Sequence, residues 1–64
     1  RNIRLKKIGE EAAELIAACA DGYVARATEE AADLIYHIGV ALAAVGGSLD
    51  AVATVLFERS QEKA

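Results

Sequence analysis

The chain has 64 residues, room for one small domain at most. Apolar residues make up 55% but aromatics only 5%, and the alanine that supplies much of the rest buries little area. A lone copy is therefore expected to have a thin core and to need a partner subunit. The formal charge of −3 argues against general nucleic-acid binding, and the single Cys19 excludes an internal disulfide.

Cys19 reads as a small apolar residue on a buried helix face, and one unpaired cysteine fits a reducing compartment. The amino end, Arg1-Asn2-Ile3-Arg4 followed by two lysines, has no signal-peptide character. The longest apolar stretch, Leu34 to Val45, is interrupted by His37 and falls short of the roughly 20 residues that span a bilayer. No membrane association is expected, and a cytoplasmic location is. Opening without methionine and already inside a helical pattern, residues 1–64 are expected to be a single domain cut from a longer protein.

There is no proline and no strand-like alternation, so the class is all-α, with three helices expected. In the first, Leu5, Ile8, Ala12, Leu15, Ile16 and Cys19 recur at helical spacing. This helix should stop near Asp21-Gly22, where glycine takes the left-handed conformation that ends helices.

The second helix is predicted to begin between Val24 and Thr28, with Thr28 one candidate cap and the preceding alanine-rich residues equally able to be helical. Its carboxyl-terminal half is apolar almost all round, which marks a helix central to a bundle. The second face of that helix needs a missing segment or another subunit. Gly46-Gly47 should close it and Ser48 cap the third helix, with Asp50 in the first turn. Leu49, Val52, Ala53, Leu56 and Phe57 form the stripe of the third helix, and the polar tail from Glu58 onward is expected to fray.

Acidic residues border the first two stripes. Lys7, Glu11 and Glu14 share one edge of the first helix, and Arg26, Glu30, Asp33 and His37 share one edge of the second. An antiparallel hairpin, the natural result of a short connection, can turn these edges toward each other. Clustered carboxylates repel, and a divalent cation offsets that repulsion. An oxygen-only ligand set selects Mg²⁺, Mn²⁺ or Ca²⁺ over zinc. Mg²⁺ prefers to share its shell with phosphates, which makes a phosphate ester or anhydride the expected substrate class. Lys7 and Arg26 then stand where phosphate oxygens would lie. The competing reading is a solvated acidic face with ordinary Lys7–Glu11 and Lys6–Glu10 ion pairs.

At these residues the chain resembles a known family. Lys6 to Glu14 (KKIGEEAAE), Glu30 to His37 (EAADLIYH) and Gly46 to Asp50 (GGSLD) are similar to phosphoribosyl-ATP pyrophosphohydrolases, within the MazG-like all-α nucleoside triphosphate pyrophosphohydrolases. The paired ExxE and ExxD pattern is shared across the superfamily, while the Tyr36-His37 and Ser48-Leu49-Asp50 contexts point to the histidine-pathway member. The resemblance implies a helical dimer and Mg²⁺-dependent cleavage of phosphoribosyl-ATP to phosphoribosyl-AMP and pyrophosphate, the second step of histidine biosynthesis. It assigns Glu11, Glu14, Glu30 and Asp33 as metal ligands and Glu10 as an auxiliary one. Family members also carry a helical segment ahead of Lys6, so an amino-terminal portion is expected to be missing here.

Glu14 is taken as the base that accepts a proton from the attacking water, and Lys7 and Arg26 as phosphate-binding groups. His37 is either a substrate contact or a hydrogen-bonded bundle histidine. Tyr36, facing away from the acidic edge, is assigned to a core or interface. Two alternatives stay open: a house-cleaning MazG-type enzyme acting on other nucleoside triphosphates, and a non-catalytic helical dimerisation module.

Overall fold

The alanine, leucine and glutamate of these segments are strong helix formers, and each of the first two runs gives way to a left-handed glycine, Gly22 or Gly46, that turns the chain. The computed structural model describes residues 2–63, which fold as α1 (Asn2–Ala20), α2 (Val24–Ala44) and α3 (Leu49–Lys63). Arg1 and Ala64, part of the predicted amino end and tail, lie outside the described residues.

Both inter-helix turns are made the same way. After α1, Gly22 takes φ +71°, its N–H donates to the Cys19 carbonyl at 3.1 Å, and the Tyr23 N–H donates to the Ala18 carbonyl at 3.2 Å. After α2, Gly46 takes φ +88°, its N–H donates to Ala43 at 3.1 Å, and the Gly47 N–H donates to Leu42 at 2.7 Å. These paired bonds are Schellman caps, which satisfy the last carbonyls of a helix and require a left-handed residue just beyond it.

Tyr23 precedes α2 without capping it through its side chain. Thr28 is therefore an interior residue and not the cap. Its hydroxyl donates to the Val24 carbonyl, one turn back, at 2.9 Å. Ser48 does cap α3, its Oγ accepting the Ala51 N–H at 3.1 Å, and Asp50 lies in the first turn where the helix dipole favours it. The tail departs from expectation: from Glu58 to Lys63 it stays helical, being made largely of good helix formers.

The helices α1 and α2 pack together as the expected antiparallel hairpin, whereas among the described residues α3 touches α2 alone, and only slightly. The chain bends by 106° between α2 and α3, and Leu49 packs into the space left by Gly39, where an added Cβ would meet Leu49 Cδ1 at 3.2 Å. The extents are 35 × 33 × 14 Å. The thin dimension is that of two helices with axes about 8–10 Å apart, so among the described residues no further layer covers the outer faces of the pair.

The core is correspondingly small. Ala18 is fully buried, and Ile8, Leu15, Leu34, Ile38 and Leu42 are half-buried between the helices. The stripe of α3 is bare, with Phe57 63% exposed. Cys19 is exposed and not buried as expected; it lines an open groove between α1 and α2 near the hairpin turn. No single helix among the described residues is long and apolar enough to cross a membrane.

Candidate metal centre

The hairpin brings the acidic edges of α1 and α2 together. One carboxylate oxygen each from Glu11, Glu14 and Glu30 lie within 4.8 Å of one another. Glu11 and Glu14 share a face because they are three residues apart on one helix, and Glu30 arrives from the facing helix.

The three differ in exposure. Glu11 is 9% exposed, and its Oε2 is buried with no hydrogen-bond partner. Glu30 is half-buried, and Glu14 is open to solvent. An acceptor left unsatisfied in a low-dielectric setting is costly. Two carboxylates at such a distance repel by about 3.5 kcal/mol at an effective dielectric of 20, less where water reaches Glu14.

A divalent cation fits this donor set. The ligands are all hard oxygens. Oxygens sharing one octahedral Mg²⁺ shell lie about 3–4 Å apart, and the three gathered here lie within 4.8 Å of one another. The orphaned Oε2 of Glu11 is the group that most needs such a partner. The open side at Glu14 leaves room for water and for phosphate oxygens.

The remaining predicted residues are placed less centrally. Asp33, one turn beyond Glu30, is exposed, and its carboxylate is not among the gathered oxygens. Glu10 and Lys7 are exposed, and neither the Lys7–Glu11 nor the Lys6–Glu10 ion pair occurs among the described residues. His37 is half-buried and stacks edge-on against Tyr36, with ring centroids 5.2 Å apart at 75°. Tyr36 is itself exposed.

Arg26 holds a position that the sequence reading missed. Its Nε lies 3.6 Å from Glu30 Oε2, so the guanidinium meets a carboxylate of the cluster itself. The spacing of four residues between Arg26 and Glu30 is the signal that allows this contact. Beside the cluster, toward the hairpin turn, an apolar groove of about 430 Å³ runs between Leu15 and Ala18 on α1 and Ala27 and Ala31 on α2, with Tyr23 at its end.

Comparison with known proteins places the chain in a family. The family model for phosphoribosyl-ATP pyrophosphohydrolase matches residues 1–60. The chain is 47% identical over 55 residues to the phosphoribosyl-ATP pyrophosphatase of Streptococcus sanguinis, covering 86% of this chain and 53% of that protein. It is 48% identical over 59 residues to the phosphoribosyl-ATP pyrophosphatase of Pelotomaculum thermopropionicum, covering 92% and 60%. To the histidine biosynthesis bifunctional protein HisIE of Prochlorococcus marinus (strain MIT 9313) it is 49% identical over 55 residues, covering 86% and 25%. The chain thus spans about half the length, or less, of the first curated relatives it matches. No solved structure matches it. By the match across nearly its whole length, the chain belongs to the phosphoribosyl-ATP pyrophosphohydrolase family.

Proposed function

We propose that the protein hydrolyses phosphoribosyl-ATP to phosphoribosyl-AMP and pyrophosphate in histidine biosynthesis, using Mg²⁺ held by the carboxylates of the α1–α2 hairpin. The observation that carries this reading is the convergence of Glu11, Glu14 and Glu30 within 4.8 Å in a chain of this family. Bound Mg²⁺ supplies charge neutralisation at phosphate oxygens and a more acidic water.

The chain's own residues do the rest. Glu11 and Glu30, the better-buried pair, anchor the cation. Glu14, open to solvent, meets the attacking water and takes its proton. Asp33 lies one turn along the same edge as Glu30 and would join the residues that hold the cation once substrate is bound. Lys7 and the guanidinium of Arg26 offset charge that builds on the phosphates, with Glu10 as an auxiliary acid and His37 as a substrate contact farther along α2.

The same reading includes a homodimer in the cytoplasm. The chain exposes 5085 Å², where a compact monomer of 6.7 kDa exposes about 3,900 Å². Its radius of gyration is 13.7 Å against about 11 Å for a compact chain of this length. A second copy laid on the bare faces of α2 and α3 covers that excess.

The test is pyrophosphate release from phosphoribosyl-ATP with and without Mg²⁺, beside a panel of dNTPs including dUTP. Release that needs Mg²⁺ and strongly favours phosphoribosyl-ATP is expected. Preference for ordinary dNTPs moves the protein to the house-cleaning class, and no release from any of them removes the enzymatic reading.

A further inference from the structure

Three carboxylates gather at the hairpin, and among the described residues one cation touches them. That cation is Arg26, through Nε at 3.6 Å from Glu30 Oε2. An exposed pair four residues apart on a helix is ordinarily worth about 0.3–0.5 kcal/mol and carries no further meaning. Here the acid end is different. The Glu30 side chain is 14% exposed against 55% for Arg26, and its carboxylate lies within 4.8 Å of those of Glu11 and Glu14. Glu11 adds a buried oxygen with no partner, which sets this cluster apart from acids on a solvated helix face.

The contact is also easily given up. At 3.6 Å it is a charge contact and not a hydrogen bond. The largely exposed arginine can swing into water on its long stem. A divalent cation that takes Glu30 as a ligand brings two positive charges to where the guanidinium has one, so the two cannot share the carboxylate on equal terms.

We infer that Arg26 is the resident counter-ion of the carboxylate cluster and competes with the divalent cation for Glu30, so that cation entry frees its guanidinium for substrate phosphate. The second half rests on the proposed phosphoanhydride substrate, and the first half does not. Arg26 thereby couples the order of events: it keeps the cluster from standing uncompensated before the cation arrives, and turns toward phosphate only afterwards. Because Nε is the atom nearest Glu30, the outer edge of the guanidinium remains available for a two-pronged grip on phosphate oxygens.

The competition predicts effects of opposite sign in one variant. Mn²⁺ is titrated into the intact protein without nucleotide, with binding followed calorimetrically, for the wild type, R26Q, R26K and K7Q. R26Q should bind Mn²⁺ about two- to fivefold more tightly, yet show a raised KM for phosphoribosyl-ATP. R26K retains a charge that reaches Glu30, so its Mn²⁺ affinity should stay near wild type, while loss of the planar fork still raises KM. K7Q, which removes a charge without a contact to Glu30, should leave Mn²⁺ affinity within twofold.

Unchanged or weaker Mn²⁺ binding by R26Q overturns the competition. So does equal tightening by R26Q and K7Q, which reduces the effect to long-range charge. If Mn²⁺ binds as expected but phosphoribosyl-ATP is not turned over, the counter-ion role stands and the substrate assignment falls. If no variant binds Mn²⁺, both the carboxylate site and the competition fall.

Discussion

Leu49, the first residue of α3, lies against the bare backbone of Gly39 on α2, where a Cβ would sit 3.2 Å from its Cδ1 and 3.5 Å from its Cγ. This contact lies where α3 meets the hairpin, so it helps set the 106° bend. Gly39→Ala gains up to about 1 kcal/mol of helix propensity, and the atom it meets is the end of a flexible side chain that can yield a few tenths of an ångström. Gly39→Ala should therefore be neutral within about 1 kcal/mol. Gly39→Val crowds the same space with two methyl groups and should destabilise by about 1–3 kcal/mol. Thermal melting of the two variants checks the contrast, and equal melting temperatures would show that the contact does not hold α3.

Glu11 offers a sharper separation of stability from function. Its Oε2 is buried without a partner and lies in a cluster with two other acids. Glu11→Gln removes one of the repelling charges and supplies an amide N–H that can donate to a neighbouring carboxylate. The metal-free protein should gain about 1 kcal/mol. The same change removes the most deeply placed ligand, so the rise in melting temperature on adding Mg²⁺ should disappear, and turnover with it. A variant that is less stable without metal yet still stabilised by Mg²⁺ would assign Glu11 a purely structural role.

Gly22 holds the hairpin that makes the site. Its φ of +71° suits glycine, and a Cβ there would meet nothing within 4 Å, so the cost of substitution is conformational and not steric. Gly22→Ala should destabilise by about 1 kcal/mol. It should also weaken Mg²⁺ binding, because the cap fixes how Glu11 and Glu14 face Glu30. Melting curves with and without Mg²⁺ read both effects. A variant that loses stability while keeping full Mg²⁺ affinity would mean that packing along the helices alone sets the register.

The limits of the helices were legible because the residues that stop them have local physical reasons. Gly22 and Gly46 each stand two places beyond the last residue of a helix and take positive φ, and Ser48 stands where its hydroxyl meets a free N–H. Thr28 misleads because a hydroxyl that can cap a helix can also bond back to a carbonyl inside one. The stripe through Cys19 is half-buried at Ile8 and Leu15 and exposed at Cys19; periodicity tells which residues share a face and not how far along it a neighbour covers them. The same limit applies to the site. Spacing within a helix unites Glu11 with Glu14, whereas the register between helices decides that Glu30 and not Asp33 reaches them. The contact of Arg26 with Glu30 is one that spacing permits, because residues four apart on a helix share a face.

Asp33 therefore separates binding of the cation from binding of the loaded substrate. It is exposed and its carboxylate lies outside the gathered oxygens, while Glu30 lies inside them on the same helix. Glu30→Gln should weaken Mn²⁺ binding without nucleotide by at least tenfold, the equivalent of about 1.4 kcal/mol. Asp33→Asn should change that affinity by less than about threefold. Both variants should lose turnover of phosphoribosyl-ATP while keeping helical circular dichroism, since neither side chain fills the apolar contact between α1 and α2. Calorimetry without nucleotide and pyrophosphate release at saturating Mg²⁺ make the comparison. If Asp33→Asn weakens Mn²⁺ binding as much as Glu30→Gln does, Asp33 belongs to the ligand set before substrate arrives, and its outward position is one the cation reverses.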